Sequence, residues 1–80
     1  MALYFFDSMV SGSLVQDEDG RELADFAKAR HYALDALADI ARHAIPDGNA
    51  SISVYVRSNV GDIVYSAAVS VTEDTAHREV

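Results

Sequence analysis

The sequence predicts an α+β fold in which one amphipathic helix packs on an antiparallel sheet of about four strands. Three observations support this: a helical apolar period after Asp25, a strict two-residue alternation in SISVYVRS, and turn residues that separate two apolar runs before the helix. Together they give the order β-β-α-β-β. The 80 residues suffice for one such domain. We assign it to residues 1–72 and expect residues 73–80 to form a flexible tail.

The first two strands are expected to form a hairpin. ALYFFDS is apolar and aromatic, which predicts a strand from about Leu3 to Asp7. SMVSGS contains the turn, and SLVQD is the return strand. The charged stretch DEDGRELAD then leads to the helix.

The helix is the clearest element. Asp25 is expected to cap it, because a carboxylate can accept hydrogen bonds from the free N–H groups of the first turn. The helix should end at His43 or Ala44, before Pro46. At roughly 100° per residue, the apolar residues fall on one side, which we expect to be buried. They are Leu23, Phe26, Ala27, Ala33, Leu34, Leu37, Ile40, Ala41 and Ala44.

The last two strands are expected to form a second hairpin around the turn SNVGD. The first of them should bury Ile52, Val54 and Val56. The second, IVYSAAVSV, should direct Ile63, Tyr65, Ala67, Val69 and Val71 inward. Tyr55, Val64, Ala68 and Phe5 then fall on the opposite face. A small apolar patch there predicts association with a protein, and a homodimer is the expected form. Edge pairing through an exposed strand is the alternative.

Composition excludes several classes of function. Without cysteine the chain can form neither disulfides nor thiolate metal sites. The formal net charge of -7 disfavours nucleic acids and anionic membranes as partners. No apolar run is long enough to span a bilayer. We therefore expect a cytoplasmic protein of bacterial type.

The acidic stretch Asp17–Glu18–Asp19–Gly20 only partly matches a calcium-binding EF-hand loop. With Gly20 at the sixth position, the first and twelfth positions are Val15 and Phe26, which cannot serve as ligands. An Asp-Gly turn is therefore expected. Weak cation binding is the alternative.

The remaining polar residues give no catalytic arrangement. His31, Asp35, Asp39 and His43 follow one another at four-residue intervals, but on the helix side opposite the apolar stripe, so a solvated face is expected. The serines show no nucleophile motif, and the single glycines form no phosphate-binding loop. We expect no enzymatic activity and no cofactor.

Arg30 is the exception to the helix pattern, because it falls within the apolar stripe. A guanidinium there must reach a carboxylate or solvent. The expected partners are Asp7, Asp17, Asp19 and Glu22. The alternative is an arginine that binds an anionic ligand or a partner protein.

YFFD at Tyr4–Asp7, DEDGRELAD at Asp17–Asp25 and the pair Ala29–Arg30 resemble a family of short bacterial proteins known only as a domain of unknown function. The resemblance extends from about Leu3 to Val71. Asp19 replaces the glutamate usual in that family, and Ala24 stands where proline is common. The resemblance implies a compact α+β fold and no catalytic residues. The order of elements is also similar, at the level of fold alone, to HicB-type antitoxins.

These observations predict a non-enzymatic module that binds another protein or itself. One alternative is a small-ligand or cation-binding module that uses the acidic turn. Another is an antitoxin-like regulator that covers a basic partner with its negative surface.

Overall fold

The computed structural model describes residues 1–76 and confirms the α+β class. One helix packs on a five-stranded antiparallel sheet. The elements are β1 (Ala2–Val10), β2 (Ser13–Val15), β3 (Arg21–Leu23), α1 (Phe26–Ala44), β4 (Ser51–Ser58) and β5 (Ile63–Ser70). The sequence did not predict β3, because three residues with no apolar alternation carry no strand signal. They form a strand only through pairing with β1.

The sheet has β4 between β1 and β5, and two short strands share the outer edge of β1. β3 pairs with Ala2–Tyr4, and β2 pairs with Ser8–Val10. β1 is longer than predicted because Met9 and Val10 continue the ladder to β4. The turn follows at Ser11 and Gly12, which have φ angles of 48° and 87°.

Both ends of α1 agree with the sequence prediction. The Asp25 carboxylate accepts a hydrogen bond from the backbone N–H of Lys28 at 2.9 Å, which satisfies one free donor of the first turn. At the other end, Asn49 donates to the carbonyl of Ala44 from both its backbone N–H and its side-chain amide. Those bonds replace partners that a continuing helix would have supplied.

The core lies between α1 and the centre of the sheet. Ile52, Val54 and Val56 of β4 are fully buried, as predicted. They face small or slender helix residues that let the helix approach the strands closely. These helix residues are Ala33, Leu37 and Ala41, and Phe6, Ile40, Tyr65, Ala67 and Val69 pack around them.

Three residues predicted to be buried, Ile63, Phe26 and Ala27, are exposed, and Leu23, predicted on the buried side of the helix, lies outside it. Ile63 is 62% exposed, because the β4–β5 register shifts between Val56 and Arg57 and breaks the alternation at that point. Leu23 belongs to β3 and not to the helix. Phe26 is 44% exposed, although its ring contacts Tyr65 edge-on.

Residues 71–76 form no helix or strand. The N–H of Val71 still donates to the carbonyl of Ala50 at 2.8 Å, which continues the β4–β5 pairing by one step. The last part of the predicted tail, residues 77–80, lies outside the described residues. Within residues 1–76, the single helix lacks an apolar stretch that could cross a membrane.

Candidate functional site

Among residues 1–76, the most buried charged group is the Asp7 carboxylate of β1, which forms an ion pair with Arg57 of β4. Arg57 donates from Nε to Oδ2 at 2.6 Å and from Nη2 to Oδ1 at 3.2 Å. The register places Arg57 opposite Phe5 and Asp7 opposite Tyr55, so the pair is diagonal on the sheet face that α1 leaves open. Two parallel hydrogen bonds of this kind fix both side chains.

Asp17 completes this network from the loop between β2 and β3. Its backbone N–H donates to Asp7 Oδ1 at 2.9 Å, and its carbonyl accepts from Arg57 Nη2 at 3.0 Å. Its carboxylate accepts from the backbone N–H of Phe6 at 3.0 Å. That N–H lies in the gap between the β3-paired and β2-paired parts of β1. The Asp17 side chain therefore takes the place of a strand at this point of the edge.

Asp17 also closes the turn that follows it. Its other carboxylate oxygen, Oδ1, accepts from the N–H groups of Asp19 and Gly20, both at 3.1 Å. Gly20 has a φ angle of +73°, and a Cβ there would lie 2.9 Å from Phe5 Cε1. Glycine is required both by the backbone conformation and by the ring packed against it. The turn expected at Asp17–Gly20 is present, and the Asp17 carboxylate accepts hydrogen bonds from backbone N–H groups.

The protonation of the network follows from these contacts. The hydrogen bonds from Arg57 lower the pKa of Asp7, although burial acts in the opposite direction. Burial raises the pKa of Asp17, but the three backbone N–H groups outweigh it, and the net pKa is lowered. The same contact with Asp7 raises the pKa of Arg57. All three groups are charged at neutral pH and hold each other in place.

Arg30 does not form the expected ion pair. It is exposed, and within residues 1–76 no ion pair includes it. The buried residues of α1 follow a single four-residue row, which is Ala29, Ala33, Leu37 and Ala41. Such a row is inclined to the helix axis, so the buried direction rotates along the helix. At the first turns it passes through Ala29, and Arg30 points roughly 100° away from it.

Arg30 also lies on the wrong flank of α1 to reach the carboxylates that were expected to pair with it. Phe26, one turn earlier, contacts Tyr65 of β5, whereas Tyr32 stacks on Phe6 of β1 at 4.6 Å between ring centres. Residues one turn apart share a flank, so Arg30 lies on the side of β5. The hairpin carboxylates lie beyond β1, on the other side. A role for Arg30 in partner binding stays a prediction.

Sequence reasoning missed Arg57, the cation that joins the Asp7 carboxylate to the backbone carbonyl of Asp17. A signal for it existed in the alternation of SISVYVRS, which places Arg57 on the face opposite the core. Pairing β1 with this strand in the observed register would have brought Arg57 beside Phe5 and Asp7. The register between strands distant in sequence was not predictable from either strand alone.

The other predicted polar sites remain separate. His31, Asp35, Asp39 and His43 are all exposed on α1, where Asp39 pairs with Arg42. Asp19 is exposed and contributes its backbone N–H to the turn. No group of three or more His, Asp or Glu side chains within residues 1–76 is placed to hold a metal ion.

Phe5 and Tyr55 lie on the open face of the sheet, as the alternation predicted, and both are half-buried. The Phe5 ring is already covered by Gly20 on one side and by the Arg57 guanidinium at 4.9 Å. The ion pair therefore occupies the centre of this face and reduces its apolar area. Participation of Phe5 and Tyr55 in binding stays a prediction.

The two edges of the sheet differ in how well they are covered. β2, β3 and the Asp17 carboxylate together cover the outer edge of β1. The outer edge of β5 has no strand partner within residues 1–76. β5 spans 8 residues, IVYSAAVS, without a charge or a proline. Edge strands are usually protected by such residues, and this one lacks them.

The free peptide groups of β5 can be identified from the hydrogen-bond alternation. Successive residues of an antiparallel strand direct their peptide groups to opposite sides. Val71 donates to Ala50, beyond the end of β4. The odd-numbered residues of β5 from Tyr65 to Val69 are therefore bonded to β4. Ser66, Ala68 and Ser70 direct their N–H and C=O groups to the open edge.

Comparison with known proteins identifies the family. A profile described as Domain of unknown function (DUF6894) matches residues 3–70. No curated protein and no solved structure matches the chain. The matched range includes Asp7, Asp17 and Arg57 as well as nearly all of the sheet. The likeness to HicB-type antitoxins and the details of the family motif stay predictions.

Proposed function

Given that the chain belongs to the family described as Domain of unknown function (DUF6894), we propose that it is a non-enzymatic module that binds protein through the open edge of β5. The mode is strand addition, in which a partner strand extends the sheet by backbone hydrogen bonds. The side chains on both sides of the edge then select the partner.

The observation that supports this proposal is the contrast between the two sheet edges. The β1 edge is covered by two strands and by the Asp17 carboxylate, which fills the remaining gap. At the β5 edge, the N–H and C=O groups of Ser66, Ala68 and Ser70 are unpaired within residues 1–76, and the strand contains no charged residue. An exposed edge strand without charge or proline is a template for pairing with another chain, which supports the β5 edge as the binding site.

The polar network supports the non-enzymatic part of the proposal. Asp7, Asp17 and Arg57 satisfy one another and the backbone of β1, so their charges stabilise the hairpin. A general acid or base needs a pKa near the working pH. Both carboxyl groups have a pKa that is shifted away from neutrality.

A pair of variants tests the binding edge. Ala68→Pro removes one N–H that points to the open edge and leaves the bonds to β4 intact, which an edge strand tolerates. Tyr55→Ser changes the open face and leaves the edge unchanged. The wild-type domain and both variants are immobilised and exposed to an extract of the source cells, to which the purified, labelled domain itself has been added.

We expect the wild type and Tyr55→Ser to retain the same partner and Ala68→Pro to lose it, while all three keep the same far-ultraviolet circular dichroism. Loss only with Tyr55→Ser would move the binding site to the open face. Equal retention by all three would contradict binding through the edge of β5.

A further inference from the structure

We propose that the strand added to β5 is β5 of a second copy of this chain, so that two sheets join antiparallel about a two-fold axis at Ala67. This inference rests on the proposed function of the β5 edge and names its partner. The joined sheet would be continuous across both copies, and both helices would lie on the same side of it.

The directions of the peptide groups limit the register. Only residues whose N–H and C=O groups point outward can form the hydrogen-bonded pairs of an antiparallel ladder. In β5 these are Ser66, Ala68 and Ser70. A two-fold axis at Ala67 places Ser66 of each copy opposite Ala68 of the other. Both residues direct their N–H and C=O groups to the open edge, so they can form a hydrogen-bonded pair. An axis between Ser66 and Ala67 would place Ser66 opposite Ala67, whose N–H and C=O groups are already bonded to β4, so this register is excluded.

The charge distribution favours a second copy over an unrelated basic protein. The chain carries a formal net charge of -7, and 13 of its residues are acidic. A basic partner would be drawn to those acidic residues. β5 contains none of them. Within the paired strands themselves, a second copy therefore places no like charges opposite each other.

The side chains at the axis also fit. Residues directly opposite in a non-hydrogen-bonded pair have Cα atoms about 4.5 Å apart, and at the proposed axis both are Ala67. Its methyl group is small enough for that separation. On the helix side, α1 lies mainly over β4, so the edge of β5 is not covered. Phe26, 44% exposed beside Tyr65, adds apolar surface close to the seam.

The chain has no cysteine, so a single introduced thiol reports the register directly. We would compare Ala67→Cys with Ser66→Cys, Ala68→Cys and the exposed helix variant Ala38→Cys under mild oxidation. Two thiols introduced at position 67 would be within disulfide range, whereas two at position 66 or two at position 68 would have Cα atoms about 9 Å apart, beyond the limit of about 7 Å.

We expect Ala67→Cys to form a covalent dimer roughly tenfold faster than each of the other three variants. A fastest reaction at position 66 or 68 would overturn the axis at Ala67. Equal, slow reaction at all four positions would overturn the self-pairing of β5.

Sedimentation equilibrium of the cysteine-free protein at tens of micromolar separates this inference from the proposed function. We expect twice the chain mass of 8.7 kDa, and the single mass for the folded variant Ala68→Pro. A monomeric wild type overturns the inference, while the extract experiment still decides whether the edge binds another protein. A dimer that survives both Ala68→Pro and Ser66→Pro overturns the inference, because its contact then lies away from the β5 edge; the extract experiment decides the proposed function separately.

Discussion

Replacing Asp17 with alanine should destabilise the domain more than any other single change in the acidic turn. The carboxylate serves three backbone N–H groups, those of Phe6, Asp19 and Gly20. Removing it leaves the partly buried Phe6 donor without a partner. It also removes the group that holds the loop between β2 and β3 against β1.

The magnitude follows from the burial of each bond. The bond from Phe6 is partly buried and has a charged acceptor, so its loss should cost about 1.5–3 kcal/mol. The hydrogen bond from Asp19 is exposed, and that from Gly20 is only partly buried, so water can replace much of each bond. The loss of each should therefore cost about 0.5 kcal/mol. The free energy of unfolding should therefore fall by about 2.5–4 kcal/mol.

Urea denaturation followed by far-ultraviolet circular dichroism measures this change, at one fixed protein concentration because association adds to apparent stability. Asp19→Ala is the matched control, since Asp19 contributes its backbone and its side chain is exposed. It should change stability by less than about 0.5 kcal/mol. Asp17→Asn should recover only part of the loss, because one amide oxygen replaces two carboxylate oxygens. Equal effects of Asp17→Ala and Asp19→Ala would refute the reasoning.

Both carboxyl groups of the network have a lowered pKa, so their stabilisation is complete above pH of about 4 and is lost as the pH falls through the folded values. The urea midpoint should decline below that pH, and less steeply in Asp17→Ala. Gly20→Ala should cost about 1–3 kcal/mol and exceed Gly48→Ala in the same assay, because both positions have positive φ but only the first has neighbours within 4 Å of the added Cβ. Arg30→Ala should shift the melting temperature little, and Arg57→Ala clearly more; equal shifts would contradict the assignment of the ion pair to Arg57.

The position of Arg30 shows why a helical pattern does not by itself define the buried face. A single projection of the whole helix places Arg30 among the apolar residues. The sheet contacts α1 along an inclined row, from Ala29 through Leu37 to Ala41. The inclination depends on how the helix crosses the strands, which is a property of packing between elements.

Elements with local signals could be predicted from the amino-acid sequence alone. The cap at Asp25, the end of α1 before Pro46 and the alternation that buries Ile52, Val54 and Val56 each depend on residues a few positions apart. For this reason the α+β class and the order of the main elements could be predicted. The family resemblance was likewise carried by short stretches of sequence.

Contacts between residues distant in the chain emerged only in the folded structure. Asp7 and Arg57 are 50 residues apart and meet through the register of β1 with β4. β3 exists because β1 pairs with it, and Asp17 is essential to the edge because β2 and β3 leave a gap there. The open edge of β5 is equally a result of the strand order. The physical reason is that a strand's own residues determine its two faces, whereas its neighbours and their register depend on the packing of the whole chain.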